Sequence, residues 1–207
     1  MSKTAGYALI LAAGTSSRMG EAKQLIQLEG QYILERVINQ VMRHPFKRVI
    51  IILGYCAEEI KGAISIHSDR VEWIYNPNFL KGQSTSLLAG LSAVPESISA
   101  ATVFLGDQPF IDEATISSII SIGKNQLKQV NDSFVIRPFY KGTPGHPVYW
   151  GNIHCLPMSD LSGDRGGVQL MKYAKQHSYQ VDDPFVFVDV DTPSDLADAK
   201  RMSHFLT

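Results

Sequence analysis

Short apolar runs alternate along this chain with segments in which apolar residues recur at helical spacing, and this alternation limits the fold more strongly than any other feature. Runs at residues 8–11, 49–53 and 102–105 are bounded by Gly, Pro or Asn and predict buried strands. Apolar residues between 34 and 42 form a helical stripe that stops before Pro45, because proline disfavours helix in the residue that precedes it. Strands that cross to helices and back predict an α/β fold with a mostly parallel central sheet.

The rest of the chain continues this pattern without a linker, a repeat or a low-complexity tract. We expect further helices near residues 57–64, 84–94, 112–122 and 167–176. We expect further strands near residues 71–75, 134–136, 147–150 and 185–190. A last helix is predicted by the capping pattern of Thr192, Pro193 and Asp195. Residues 1–207 are therefore predicted to form a single-domain, three-layer α/β/α structure of Rossmann-like type.

The composition excludes several classes of protein. The chain has 19 Lys and Arg against 20 Asp and Glu, so its formal net charge is −1. Because it also has no run of basic residues, we do not expect it to bind nucleic acid. The longest apolar run, residues 7–13, is shorter than the ~20 residues that span a bilayer. The two cysteines, Cys56 and Cys155, fit no zinc spacing, and we interpret both as buried thiols. We therefore expect a cytoplasmic monomer that binds neither nucleic acid nor membranes.

A small-residue loop follows the first predicted strand and is the first candidate site. Residues 11–20 read Leu-Ala-Ala-Gly-Thr-Ser-Ser-Arg-Met-Gly, and Lys23 follows three residues later. The spacing matches neither the Walker A motif nor the dinucleotide-binding glycine motif. Exposed backbone N–H groups, together with the charges of Arg18 and Lys23, predict a cradle for a polyphosphate. The alternative is an ordinary strand-to-helix turn with a solvated Arg and Lys.

Two carboxylates follow predicted strands and are candidate metal ligands. Asp107 lies in the tetrapeptide Gly-Asp-Gln-Pro directly after the strand at 102–105, and Asp191 ends the predicted strand at 185–190. Ligands of parallel α/β sheets bind beyond the carboxyl ends of strands, and Mg²⁺ prefers carboxylate and phosphate oxygens. The alternatives are a turn residue for Asp107 and a helix entrance for Asp191. Asp189 points to the opposite face by strand alternation and is the poorer candidate.

Four motifs in this order resemble one known family over nearly the whole chain. They are L-A-A-G-x-S-x-R-M-G-x-x-K from residue 11, Gly-Gln-Ser-Thr-Ser-Leu from residue 82, Gly-Asp-Gln-Pro from residue 106 and Gly-His-Pro from residue 145. Together they resemble the MobA-like nucleotidyltransferases, which have a glycosyltransferase-A-like fold. Within that family, the resemblance is strongest to the branch of molybdenum cofactor cytidylyltransferases and xanthine dehydrogenase accessory proteins.

This resemblance implies an activity. It implies Mg²⁺-dependent transfer of CMP from CTP to the phosphate of a molybdopterin-type cofactor, with release of pyrophosphate, to supply a molybdenum hydroxylase such as xanthine dehydrogenase. The acceptor apo-hydroxylase is then an expected partner. Transfer of GMP, a different phosphorylated acceptor, and a non-catalytic cofactor chaperone remain as alternatives.

The resemblance also implies roles for individual residues. Lys23, Arg18 and Asp107 would be catalytic, and Asp107 and Asp191 would hold the metal. The implied nucleotide-binding residues are Leu11, Ala12, Ala13, Gly14, Ser17, Arg18, Lys23, Asn76, Gly82, Gln83 and Ser84. The implied residues on the acceptor side are Gly145, His146 and Asp164.

Several of these residues have structural alternatives. Ser84 and Asp164 suit helix caps, and His146 suits a residue that only holds the backbone of a Gly/Pro turn. The aromatic residues that could line a pterin pocket are Phe139, Tyr140, Tyr149 and Trp150, although aromatic residues in strands more often lie in the core.

Overall fold

A mixed sheet organises the chain, and the computed structural model describes residues 6–15 and 22–203 of it. The strands are β1 (Tyr7–Ala12), β2 (Gln27–Leu28), β3 (Gln31–Tyr32), β4 (Arg48–Leu53), β5 (Val71–Tyr75), β6 (Ala100–Leu105), β7 (Phe134–Tyr140), β8 (Thr143–Pro144), β9 (Val148–Gly151) and β10 (Lys175–Gln180). The helices are α1 (Ile33–Met42), α2 (Ala57–Ala63), α3 (Gln83–Ser92), α4 (Glu113–Leu127), α5 (Val168–Met171) and α6 (Pro193–Ser203).

The main sheet has the strand order β10-β7-β9-β6-β1-β4-β5, and β8 pairs with β7. Strand β1 runs parallel to both of its neighbours, β4 and β6. Strand β9 runs antiparallel to β6 and β7. The carboxyl ends of β1, β4 and β6 therefore meet at one edge of the sheet, where ligands of such folds bind.

Helices cover both faces of the sheet because the side chains of β1 alternate between them. Ala8 and Ile10 pack with apolar residues of α1, α2 and α4 on one face. Leu9 and Leu11 pack with residues of α3 on the other. These two cores confirm the prediction of a three-layer α/β/α fold with a mostly parallel mixed sheet.

Two predictions for the second half of the chain are wrong. Residues 185–190 do not form a strand, because residues Pro184–Phe187 form a 3-10 turn. Asp183 caps this turn: its carboxylate accepts a hydrogen bond from the backbone N–H of Phe185 at 2.9 Å. The helix expected at 167–176 ends at Met171, and the residues that follow form the edge strand β10.

The two cysteine thiols also differ from expectation, because Cys155 is exposed and Cys56 is half-buried. Within the described part of the chain, every helix is too short or too polar to cross a membrane.

Candidate functional site

A cavity of about 830 Å³ opens at the carboxyl edge of the sheet. It is lined at the end of β1 and just after it by Leu11, Ala12, Ala13, Gly14 and Thr15, and at the end of β6 and just after it by Leu105, Gly106 and Asp107. The other lining residues are Phe79 to Gln83 and Ser86, before and within α3, and Lys23, Gln24, Gly163, Asp164 and Asp191. Clefts that bury small ligands commonly have about 300–1,000 Å³, so this cavity has room for a nucleotide.

Lys23 brings the two candidate carboxylates together at this edge. Its Nζ atom lies 2.5 Å from Oδ2 of Asp107 and 2.5 Å from Oδ1 of Asp191. The side chains of Lys23 and Asp107 are 15% and 17% exposed, whereas that of Asp191 is 38% exposed. Lys23 and Asp107 are thus mostly buried, Asp191 is more exposed, and all three side chains line the cavity.

The carboxylates keep Lys23 charged. Burial by itself would lower the pKa of this ammonium, but the charges and hydrogen bonds of Asp107 and Asp191 outweigh burial and raise the pKa above its ordinary value. Lys23 therefore carries a full positive charge at the mouth of the cavity at neutral pH.

Asp107 has one oxygen left for a further ligand. Its Oδ1 atom is buried and has no hydrogen-bond partner among the described residues. Mg²⁺ binds to one or two carboxylates together with water and substrate phosphate oxygens, so this oxygen and Asp191 fit such an ion. No group of three His, Cys, Asp or Glu side chains within residues 6–15 and 22–203 is placed to hold a metal.

Asp191 is positioned by the first turn of α6. The carboxylate of Asp195 accepts from the backbone N–H groups of Asp191 at 3.1 Å and Thr192 at 2.8 Å. In return, the Thr192 hydroxyl accepts from the N–H of Asp195 at 3.2 Å, which completes the expected capping box. Both interpretations of Asp191 therefore hold together: it lies at the entrance to α6, and its side chain also belongs to the site.

Strand alternation does not set the direction of Asp189, because residues 188–190 are not part of a strand. Its Oδ1 atom accepts from Nε2 of Gln108 at 2.7 Å. Burial, together with the charge of nearby Asp107, raises the pKa of Asp189 to about 6. The backbone joins the two segments as well, since the N–H of Val190 donates to the carbonyl of Asp107 at 3.0 Å. The strand on which the prediction for Asp189 rested is absent, but Asp191 lines the cavity and Asp189 is not among its lining residues.

Gln24, which the sequence did not single out, stabilises the end of β1 through a hydrogen bond to its backbone. Gln24 is 2% exposed, and its Nε2 atom donates to the carbonyl of Ala12 at 2.8 Å. The N–H of Gly106, the first residue after β6, donates to the carbonyl of Leu11 in β1 at 2.9 Å. The only sequence signal for Gln24 is its position beside Lys23. Ser17 and Arg18, both expected to bind phosphate, lie outside the described residues.

A second loop closes over the start of α3. The Asp164 carboxylate accepts from the N–H of Gln83 at 3.0 Å, so it caps α3 and also lines the cavity. Gly82 has φ +108°, and a Cβ atom there would lie 2.4 Å from the carbonyl oxygen of Gly163. Only glycine therefore allows this close approach. Ser84 is fully buried and its hydroxyl donates to the carbonyl of Gly166 at 3.2 Å, so it neither caps α3 nor reaches the cavity.

Asn76 is not brought into the cavity. It is 2% exposed, and its Nδ2 atom donates to the hydroxyls of Thr85 at 2.9 Å and Ser86 at 3.0 Å. Its Oδ1 atom accepts from the N–H of Asn78 at 2.9 Å. These bonds give Asn76 a structural role in joining the end of β5 to α3.

A second, smaller cavity of about 100 Å³ adjoins the first. His146 and Trp150 line it, whereas Tyr149 packs in the core and Gly145 is buried against Val186. Burial, with the charge of nearby Arg137, lowers the pKa of His146 to about 3, so its ring is neutral at pH 7. Its backbone N–H also donates to the carbonyl of Val186 at 2.6 Å. His146 thus holds the backbone and faces a cavity. Neither Phe139 nor Tyr140 is among the residues that line the two cavities.

Comparison with known proteins places these features in one family. The model of the MobA-like NTP transferase domain matches residues 8–194. The chain is 27% identical over 193 residues to the molybdenum cofactor cytidylyltransferase of Escherichia coli (strain K12), which covers 93% of this chain and 94% of that protein.

Solved structures with the same fold include two from mycobacteria. The structure of an Rv0371c homologue from Mycobacterium sp. strain JC1 has a TM-score of 0.81 and 26% identity, with 99% of each chain covered. That of Rv0371c from Mycobacterium tuberculosis H37Rv in complex with manganese has a TM-score of 0.70 and 23% identity, with 94% of this chain and 97% of that chain covered. The chain therefore belongs to the MobA-like NTP transferase family and is a nucleotidyltransferase.

Proposed function

We propose that this nucleotidyltransferase transfers CMP from CTP to the phosphate of a molybdopterin-type cofactor and releases pyrophosphate. The observation that carries the proposal is Lys23, whose ammonium bridges Asp107 and Asp191 beside a cavity of nucleotide size. The choice of CTP and of the acceptor is supported by the likeness to the cytidylyltransferase of Escherichia coli over 93% of this chain.

Mg²⁺ is the proposed cofactor, and Asp107 and Asp191 would hold it. The buried Oδ1 atom of Asp107, which has no partner among the described residues, supports a divalent ion at this place. The manganese complex of Rv0371c supports it from a protein of the same fold. When bound, the ion would neutralise charge on the phosphates.

The residues of the chain account for the remaining chemistry. An oxygen of the acceptor phosphate attacks the α-phosphorus of the nucleotide, and the bond to the bridging oxygen breaks, so that pyrophosphate leaves with the electron pair. A phosphate monoester has its second pKa near 6 and is largely ionised at pH 7, so no general base is required. Lys23 offsets negative charge on the leaving group, and the loop after β1 orients the phosphates.

Pyrophosphate release tests this proposal. Purified protein with Mg²⁺ and molybdopterin cofactor, supplied with each of the four nucleoside triphosphates in turn, should release pyrophosphate fastest with CTP. Release only with GTP would replace the cytidylyl assignment by a guanylyl one. Absence of release with any nucleotide, while cofactor still binds, would identify a non-catalytic cofactor chaperone.

We extend the proposal to the supply of a molybdenum hydroxylase such as xanthine dehydrogenase in the cytoplasm. If the proposal holds, loss of this chain in its own host should leave the hydroxylase polypeptide present and its molybdenum centre empty. A fully loaded hydroxylase under those conditions would remove this part of the proposal.

A further inference from the structure

The small cavity of about 100 Å³ lies beside the large cavity of about 830 Å³. The two cavities differ in the charged side chains that line them. Leu11, Gln83 and Leu105 line both, so a group in the small cavity would lie one side chain away from a bound nucleotide. The loop at residues 163–167 also borders both, with its first two residues on the large cavity and the rest on the small one. The two spaces are thus neighbouring parts of one site.

Two arginines supply the charge of the small cavity. Arg137 projects from β7, and Arg165 lies in the loop at residues 163–167. Neither forms an ion pair with any described residue, and the described residues that line this cavity include no carboxylate. The cavity is therefore suited to an anion and unsuited to a metal cation.

Arg137 is partly withdrawn from water without a carboxylate to balance it. Its Nε and Nη2 atoms each donate to the carbonyl of Gly145 over a long 3.4 Å. Burial lowers the pKa of its guanidinium, which nevertheless remains protonated. A half-buried cation with only weak partners is costly, and a bound anion would offset that cost.

The size and the remaining walls limit which anion fits. A space of about 100 Å³ is well below the ~300 Å³ at which drug-sized ligand sites begin, so a second nucleoside or a pterin ring does not fit in it. The planar guanidinium groups of arginine match the oxygens of a phosphate and bind them in pairs. His146, which is neutral, adds a ring nitrogen, and Trp150 and Met171 close the apolar side.

We infer that Arg137 and Arg165 form the anion site that holds the phosphate monoester of the acceptor beside the nucleotide. This inference rests on the proposed function, because it assigns the acceptor phosphate of that reaction to a place. The nucleotide phosphates then belong to Lys23 and the large cavity, and the acceptor phosphate to the two arginines.

Inorganic phosphate is the probe for the site itself. It is titrated into the full-length protein with Mg²⁺ and saturating CTP, so that the large cavity is filled, and binding is followed by ³¹P NMR. We expect Arg165→Gln and Arg137→Gln each to weaken phosphate binding at least fivefold while CTP affinity stays within twofold. Arg43→Gln, which changes an exposed arginine outside both cavities, is the matched control and should change neither affinity. Unchanged phosphate binding in both cavity variants would overturn the inference.

Steady-state kinetics tests the assignment to the acceptor. With molybdopterin cofactor and CTP, both variants should raise the KM of the acceptor at least tenfold and leave the KM of CTP unchanged. A rise in the KM of CTP alone would overturn the assignment. Arg165 is exposed, so its variant remains informative even if Arg137→Gln fails to fold, and Arg137→Lys should restore part of the binding. Pyrophosphate release that is absent in the wild-type protein, with phosphate binding still dependent on both arginines, would identify failure of the proposed function instead.

Discussion

The ammonium of Lys23 lies 2.5 Å from a carboxylate oxygen of Asp107, and this contact joins the 3-10 turn Lys23–Leu25 to the segment that follows β6. The prediction that follows is that Lys23→Ala lowers the rate of pyrophosphate release by about 10²–10³-fold, because one preorganised charge on the leaving group is lost. Lys61→Ala, an exposed lysine of α2, is the control and should keep full activity. Circular dichroism should show both variants folded. A folded Lys23→Ala protein with wild-type turnover would remove Lys23 from the mechanism.

Asp107→Asn should uncouple nucleotide binding from the divalent ion. The amide keeps the shape of the side chain but loses the charge that a hard cation needs. Calorimetry with and without Mg²⁺ should show that the ion strengthens CTP binding to the wild-type protein and no longer does so in the variant. Turnover should fall at least about 100-fold. Asp198→Asn, on the exposed face of α6, should retain the effect of Mg²⁺, and a variant at 107 that also retains it would contradict the metal assignment.

Gly82→Ala should cost more stability than a positive φ alone explains. Gly142 has φ +85° with nothing within 4 Å of an added Cβ, so Gly142→Ala measures the backbone strain by itself. At Gly82 the added atom would also lie 2.4 Å from the carbonyl of Gly163. We expect Gly82→Ala to lower the free energy of unfolding by about 1–3 kcal/mol more than Gly142→Ala. Urea denaturation of the two variants measures this difference, and equal losses would mean that the loop at residue 163 moves aside freely.

His146 should make the protein less stable in mild acid. The pKa of its ring is about 3 in the folded chain and near 6.5 in the unfolded chain, so below pH 6.5 only the unfolded state takes up this proton. The contribution of His146 to stability is therefore complete above pH 6.5 and is lost as the pH falls toward 3. Between pH 6 and 4 the wild-type protein should lose up to about 1.4 kcal/mol per pH unit more than His146→Gln. Parallel pH profiles of the two proteins would contradict a ring that stays neutral in the folded chain.

The first half of the fold follows from the sequence because its signals are local and strong. The fully buried run in β4 and the apolar stripe of α1 each have one clear period, and the structure has both within about a residue of the predicted bounds. The carboxylate at 107 could be found in the same way, since it directly follows a buried strand. Parallel sheets gather such strand ends at one edge, and that general property predicts the location of the site.

The second half gives weaker signals. Strand β10 has the sequence Lys-Gln-His-Ser-Tyr-Gln and lies at the edge of the sheet, where mostly exposed side chains leave no apolar alternation to detect. The run at residues 185–190 is apolar enough for a strand, yet Pro184 and the Asp183 cap direct it into a turn. The capping of α3 by Asp164 joins residues 81 positions apart, which no local pattern reveals.

The bridge made by Lys23 also sets when the site can exist during folding. Its two carboxylate partners lie 84 and 168 positions further along the chain. Contacts that close such long loops form late, because the chain entropy must be lost before they stabilise anything. Nucleotide affinity should therefore return after helical circular dichroism in a refolding experiment, which makes nucleotide binding a reporter of the last stage of assembly.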